Sequence, residues 1–361
     1  MSIINVADLE VGMRVADDVF SEYGSILVNA GERIDEKALD KLEMHNVKAI
    51  KIITQQKEST SVKGSPTDNM SEEEKKKFNQ FRKRYKQKTK KVQKVFDNIT
   101  DLDSDDENIH QELTNVTKDI IQTVGDNSGI VKYIHKMKEK APSIYTHSIN
   151  VSILCNLFGT LLDYPEKKKD NLALAGLLHD IGKAELGIEL EYNTLNMESL
   201  DSKTLDFYKK HATLSYRILN DKNLSQDICI GVLMHHETVK GSGFPTGAQW
   251  EQIHEFAKII AIANFYDHIT FSGETKEDIN PFSVIKLLEN IKYDKFDIQF
   301  MERFLKRLAS YYQNELVELT SGEVGEIVFI NSSNIAQPIV KIGNAMVDLS
   351  REKEIDIVRV L

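Results

Sequence analysis

Five histidines and one aspartate offer the most chemistry in this chain. His147 falls in Ile144-x-x-His147-x-x-x-Val151-x-x-Leu154, where three- and four-residue steps put it on the apolar face of a helix. His179 and Asp180 end the apolar run Leu172 to Leu178 as an adjacent imidazole and carboxylate. They are followed by Ile181, then Gly182, which loosens the helix end, and Lys183. His211 follows Phe207 by four residues and precedes Leu214 and Ile218, while His235-His236 closes the run from Ile228 to Met234. Four separate helices are thus predicted to deliver imidazoles inward. One such histidine is ordinary core, hydrogen-bonded to a carbonyl, but five beside an Asp are costly to bury unless paired or coordinated. Imidazole and carboxylate without thiolates suit Fe, Mn, Zn, Co or Ni and argue against a cysteine-type structural zinc. The ligands outnumber those one tetrahedral ion requires, and Asp180 has two oxygens, so two divalent ions sharing Asp180 are the natural inference.

The elements that position these residues are mostly helical. The chain has 361 residues, 41% hydrophobic and 28% charged, which suits two or three packed globular units. Residues 1–55 read as a small α+β module, with strand-like runs at 11–16, 25–28 and 47–53 and a helix capped by Asp35. Residues 56–114 hold a Ser/Thr/Lys/Gly/Pro linker, a charged helix from Ser71 with eleven Lys or Arg between Lys75 and Lys94, and an acidic run over 101–107. Aromatic residues at helical spacing on that charged helix suggest a homodimer element. Residues 115–320 form the helical domain, and residues 321–361 a short C-terminal β extension of three strands. The expected fold is therefore mainly α. A net charge of -10 argues against binding a nucleic acid polymer. No apolar run approaches a spanning helix and no leader is apparent, so a cytoplasmic protein without membrane insertion is expected. Cys155 and Cys229 read as buried free thiols.

His179-Asp180-Ile181-Gly182-Lys183, with His235-His236-Glu237 and Gly241-Ser242-Gly243-Phe244-Pro245, resembles the HD-GYP family of metal-dependent phosphohydrolases. The resemblance covers about residues 130 to 320. It implies an HD-type helical bundle around a dinuclear centre, with Fe or Mn as the metals. His147, His179 and Asp180 would hold one ion, and Asp180, His211, His235 and His236 the second. Lys183 would contact a substrate phosphate. It further implies hydrolysis of cyclic di-GMP to pGpG and/or GMP through a metal-bridging hydroxide, with signalling proteins as further partners. The loop residues Gly241, Gly243, Phe244 and Pro245 would border the substrate, with Phe244 as an apolar wall. The chain departs from the family in several places. Asn264 stands where an Asp ligand is usual, Phe244 replaces the Tyr of the motif, and Lys240 replaces an Asp. The Arg expected after Asp267-His268-Ile269-Thr270 is missing, with Lys240 or Lys276 as substitutes. Ser143 occupies a position where relatives with a third metal carry Glu, which points to two ions. Asp267, Glu237 and His268 are candidates for orienting the ligands. These departures frame an alternative, a catalytically weak module that binds nucleotide or a signalling partner.

Overall fold

The computed structural model describes residues 2–6, 9, 13, 15, 19–20, 26–28, 32, 34, 38–39, 42, 47, 49–52, 71–98, 111, 114–116, 118–119, 122, 131–134, 143–186, 201–271, 280–352 and 354–361. The linker up to residue 70, the Asp35 cap, the acidic run over 101–107 and Lys276 lie outside them. The chain divides into two compact units, Met1–Asp68 and Asn69–Leu361.

In the first unit β1 (Ser2–Asn5) pairs antiparallel with β4 (Ala49–Ile52), and β2 (Val19–Phe20) with β3 (Ile26–Val28). Val15, Leu27, Val28, Ile34, Leu42 and Ile50 supply its separate core.

The second unit is mainly helical. Helix α1 (Glu72–Asn98) opens with three glutamates, which suit the positive end of a helix dipole. Its aromatic spacing serves the chain's own core: Phe78, Phe81, Tyr85, Val92 and Phe96 are all buried there. The Tyr85 hydroxyl donates to Asn150 Oδ1 at 2.7 Å and lies 3.0 Å from the Thr146 carbonyl oxygen, beside His147. The spacing that suggested a second copy is therefore used within one chain.

Helices α2 (Ile144–Leu161) and α3 (Glu166–Leu178) form the most extensive packed pair. Ser152 Oγ donates to the Ala173 carbonyl at 2.7 Å, and a Cβ on Gly176 would stand 2.8 Å from Cys155 Sγ. These contacts bring the carriers of His147 and His179 together. The short α4 (Ile181–Glu185) lies on α5 (Ser202–Asp221). Gly182 makes that approach possible: a Cβ there would meet the Ser215 amide nitrogen at 2.7 Å, and its own N–H donates to Ser215 Oγ at 2.9 Å. The glycine thus serves close packing, where the sequence suggests a loosened helix end. Helices α6 (Gln226–Leu233), α7 (Glu255–Phe271), α8 (Pro281–Lys295) and α9 (Ile298–Ser310) complete the bundle. No helix among the described residues is long and apolar enough to cross a membrane.

The C-terminal sheet has five antiparallel strands rather than three. They are β5 (Leu316–Leu319), β6 (Val324–Phe329), β7 (Ile339–Ile342), β8 (Ala345–Asp348) and β9 (Ile357–Val360), in the order β8-β7-β6-β5-β9. Val317, Leu319, Ile327 and Val340 from its inner face join the helical core.

Candidate metal centre

The six polar residues meet at the junction of four helix ends. His147 lies in the first turn of α2, which Ser143 caps: the Ser143 N–H donates to Thr146 Oγ1 at 3.0 Å, and the Thr146 N–H to Ser143 Oγ at 3.3 Å. Ser143 is thus spent on a capping box. His179 ends α3, and Asp180 precedes α4 without using its side chain as a cap, which leaves both carboxylate oxygens for the centre. His211 comes from the middle of α5. His235 and His236 lie just beyond α6 rather than within it.

Asp180 is the hub. Its Oδ2 is 3.3 Å from His179 Nε2 and 3.6 Å from His147 Nε2, while its Oδ1 is 3.3 Å from His211 Nε2 and 3.7 Å from His235 Nε2. Lys183 Nζ reaches Oδ2 at 2.6 Å. His236 Nε2 approaches His211 Nε2 at 3.1 Å, as do those of His147 and His179 each other. The ligand atoms fall into two groups, each gathered within 4.8 Å: His147, His179 and Asp180 in one, and Asp180, His211, His235 and His236 in the other.

The ring orientations test whether a cation fits. Nδ1 of His179, His211 and His235 each faces the carbonyl three residues earlier, of Gly176, Tyr208 and Val232, at 2.9, 2.7 and 2.6 Å. A carbonyl only accepts, so Nδ1 carries the hydrogen and Nε2 is directed inward. His147 Nδ1 is held in the same way by the Asp267 carboxylate at 2.7 Å. Burial keeps His147, His235 and His236 well below the ordinary imidazole range, and burial with Lys183 pushes His211 down to about 3. His211 and His235 are therefore both neutral, and their Nε2 lone pairs face each other at 3.4 Å with no proton between them. A cation between such atoms removes the repulsion, and an imidazole oriented by a partner at its other nitrogen is a good metal ligand. Burial acts to raise the Asp180 carboxyl, but His179, Lys183 and His211 outweigh it and hold it well below the ordinary range. The donor set fits divalent metal.

A family profile described as "HD domain" matches residues 133–299, the segment that carries the whole cluster. Residues 133–299 are thus similar to an HD domain. The chain is 29% identical over 211 residues to a cyclic di-GMP phosphodiesterase of Borreliella burgdorferi, which covers 58% of this chain and 55% of that protein. It is 30% identical over 212 residues to a cyclic di-GMP phosphodiesterase of Pseudomonas aeruginosa, covering 57% and 49%. A 3'3'-cGAMP-specific phosphodiesterase of Vibrio cholerae is 25% identical over 180 residues, covering 50% and 41%. The match thus spans about half the length of these curated relatives. Among solved structures, an HD-GYP-type protein from Bdellovibrio bacteriovorus superposes with a TM-score of 0.50 at 18% identity, over 84% of this chain and 97% of that one. That likeness speaks for the fold.

The fold places the remaining expected residues unevenly. Asn264 is buried on α7 beside His147, close enough to favour its protonated form, while its Oδ1 has no well-directed hydrogen bond. His268, one turn further, packs its ring on His147 with centroids 4.7 Å apart. Glu237 organises the loop: its Oε1 accepts from the Thr246 N–H and hydroxyl at 2.8 Å, and its Oε2 from the Ala248 N–H at 3.0 Å. Gly243 lets this loop fold on itself, since a Cβ would stand 2.7 Å from the Thr238 amide nitrogen. Gly241 takes a positive φ of 74°, and Pro245 continues the same turn. Phe244 is only 9% exposed and stacks on His236, 4.4 Å between centroids at 21°. The ring that the sequence suggests as an apolar wall also braces an imidazole. Lys240 pairs with Asp294 on α8 and is turned to the surface. Tyr208 is the residue that sequence reasoning missed. It is buried among His211, His236, Phe244 and Lys183, but at a helical step from core residues its type alone reads as packing.

Proposed function

We propose that this chain is a metal-dependent phosphodiesterase that hydrolyses a cyclic dinucleotide, cyclic di-GMP, to pGpG and/or GMP. The observation that carries this reading is the convergence of inward-facing Nε2 atoms on the two oxygens of one carboxylate, with the opposite ring nitrogens already occupied. The names of the relatives supply the substrate class. His147, His179 and Asp180, with Asn264 beside them, would hold one divalent ion, and Asp180, His211, His235 and His236 the second. Fe and Mn suit this nitrogen-rich set. When bound, such ions supply Lewis acidity that polarises a phosphodiester and activates water.

The chain's own residues do the rest. The three carbonyls and Asp267 keep four of the five imidazoles in one tautomer, so those rings need not reorient. Lys183 carries a positive charge to the centre: burial acts to lower it, but Asp180 and Tyr208 keep its ammonium favoured, ready to offset charge on a phosphoryl oxygen. The Gly241–Pro245 loop, tied down by Glu237, borders the centre at His236 and is the candidate substrate loop.

Product chromatography after anaerobic incubation of Fe- or Mn-loaded protein with cyclic di-GMP and with 3'3'-cGAMP tests the reading, beside an Asp180→Ala control. Linear dinucleotide or mononucleotide that depends on Asp180 is expected. A chain that holds two ions and yields no product from either substrate would overturn it. The neutral amide of Asn264 favours the second reading, a weakly active module that binds nucleotide, and ligand binding without turnover is its signature.

A further inference from the structure

Lys209 stands at the edge of the centre without a counter-ion. Lys183 Nζ is held by Asp180 Oδ2 at 2.6 Å, and Lys240 is paired with Asp294. Lys209, two residues before His211 on α5, is half-buried, and its ammonium forms no ion pair among the described residues. Its Nζ lies 5.9 Å from the centroid of the Phe244 ring, which stacks on His236 at 4.4 Å. The ammonium is therefore one aromatic ring away from an imidazole whose Nε2 lies 3.1 Å from that of His211.

This placement is fixed from both sides. The Phe244 ring also meets Tyr208 and His211 of α5, with centroids 6.5 and 6.1 Å apart, and the Phe244 N–H donates to the His236 carbonyl at 3.3 Å. The helix that carries Lys209 and the loop that carries Phe244 are thus packed on each other at the centre. Lys210 is disposed otherwise. It is exposed, and its ammonium lies 5.6 Å from the ring of Phe207, which is itself 40% exposed. A lysine stem laid on apolar surface keeps its head accessible, and the face of a ring offers an ammonium only modest attraction. The three N–H donors of Lys209 are left for an anion.

A cyclic dinucleotide closes two phosphodiesters into one small ribose–phosphate ring, each with a negative charge. The centre and Lys183 serve the phosphate that reacts. The other stays in the same molecule, fully charged, and calls for a cation set apart from the donor cluster. We propose that Lys209 binds this second, non-reacting phosphodiester across the Phe244 ring, and so selects a substrate with two phosphates over one with a single phosphate. The inference deepens the phosphodiesterase reading and rests on it for the placement of the reacting phosphate.

The test compares wild type, Lys209→Met, Lys209→Arg and Lys210→Met as Mn-loaded full chains on two substrates, cyclic di-GMP and bis(p-nitrophenyl) phosphate, which carries one phosphodiester. A contact made equally in the ground state and the transition state moves KM and leaves kcat alone. Lys209→Met keeps a stem on Phe244 and removes the charge. It should raise KM for cyclic di-GMP by about tenfold, the scale of one charge-assisted hydrogen bond, with kcat unchanged and with no effect on bis(p-nitrophenyl) phosphate. Lys209→Arg should restore most of the loss. Lys210→Met removes the same charge one residue away and should change neither substrate. An unchanged KM in Lys209→Met, an equal loss on both substrates, or an equal effect of Lys210→Met would overturn the proposal. Calorimetric binding of cyclic di-GMP to the same four chains separates this outcome from failure of the phosphodiesterase reading. If wild type hydrolyses neither substrate but binds cyclic di-GMP, and Lys209→Met alone weakens that binding, the phosphate contact stands and the phosphodiesterase reading fails. If wild type hydrolyses cyclic di-GMP with no dependence on Lys209, the reading stands and the contact fails. A wild type that neither binds nor hydrolyses cyclic di-GMP overturns both.

Discussion

The two halves of the donor cluster share one carboxylate but are held by different means. The outer half, His211, His235 and His236, takes its orientation locally. Two of its rings donate to carbonyls three residues back, and the third is stacked against Phe244 from a loop eight residues on. The inner half joins His179, itself held by the Gly176 carbonyl, to His147, whose tautomer depends on Asp267 from α7, 120 residues away. Backbone carbonyls cannot be mutated away, whereas Asp267, Asn264 and His268 can change independently. The orientation of the outer half is accordingly robust, and the inner half is where substitution is expected to change how a cation would be held. It is also where the departure at Asn264 falls.

The largest effect expected is from Asp180→Ala, which removes the oxygen common to both halves and leaves Lys183 without its carboxylate. Loss of both ions and of turnover should exceed the roughly 10- to 100-fold that removal of an orienting partner costs. Elemental analysis of the purified variant checks this, and retention of one tightly held ion would mean that the halves do not depend on a shared bridge.

Acid should strain both halves together. His147, His211, His235 and His236 are buried neutral, with His211 at about 3 against an ordinary value of 6.5. Between those limits the unfolded chain binds protons that the native chain does not, so stability rises with pH across the window and is lost as pH falls. His211 contributes on the order of a kilocalorie per mole per pH unit there, and the other three act in the same direction. Denaturant unfolding of metal-free protein at pH 7.5, 6.0 and 5.0 should show progressively lower stability. A flat profile would contradict neutral burial.

The halves should come apart in Asp267→Asn, which keeps a group beside His147 but withdraws the carboxylate that fixes its Nδ1–H. Affinity at the inner half should fall by roughly 10- to 100-fold while the outer half is unchanged. A Mn(II) titration resolving two steps reads this directly, and a parallel loss in both steps would dissolve the distinction.

Much of this centre was legible in the sequence because its chemistry is tied to helical period. His147, His211 and the His179-Asp180 pair sit at steps of three and four from apolar residues, and so many polar groups turned toward a core are too costly to bury unless they coordinate something. The partners that orient the rings were less visible. Asp267 stood out only as one polar residue among several on α7, since contact across 120 residues leaves no local trace. Tyr208 looked like core, and is core, packed against His211 and Phe244. The aromatic spacing of α1 was legible, but not the partner it serves. Helical spacing shows that Phe78, Phe81 and Tyr85 share a face, and only the fold shows that this face meets the chain's own core. Strands β5 and β8 were missed because four-residue runs such as Leu316–Leu319 carry too few alternations to show a period of two.

The smallest change expected is also the most diagnostic for the inner half. Asn264→Asp alters one atom type beside His147 and supplies a second buried carboxylate to a centre that otherwise has Asp180 alone among its ligand atoms. In the metal-free chain the new charge is buried beside a neutral His147 and should lower the melting temperature, because a buried carboxylate without a counter-ion is costly. With Mn(II) added the sign should reverse, the inner ion binding about tenfold tighter and the melting temperature passing that of wild type, since one nearby unlike charge is worth roughly a kilocalorie or more at such a site. The reversal between the two conditions is the informative result. A variant equally stable with and without metal, and with unchanged stoichiometry, would place Asn264 outside the inner half and leave its affinity to His147, His179 and Asp180.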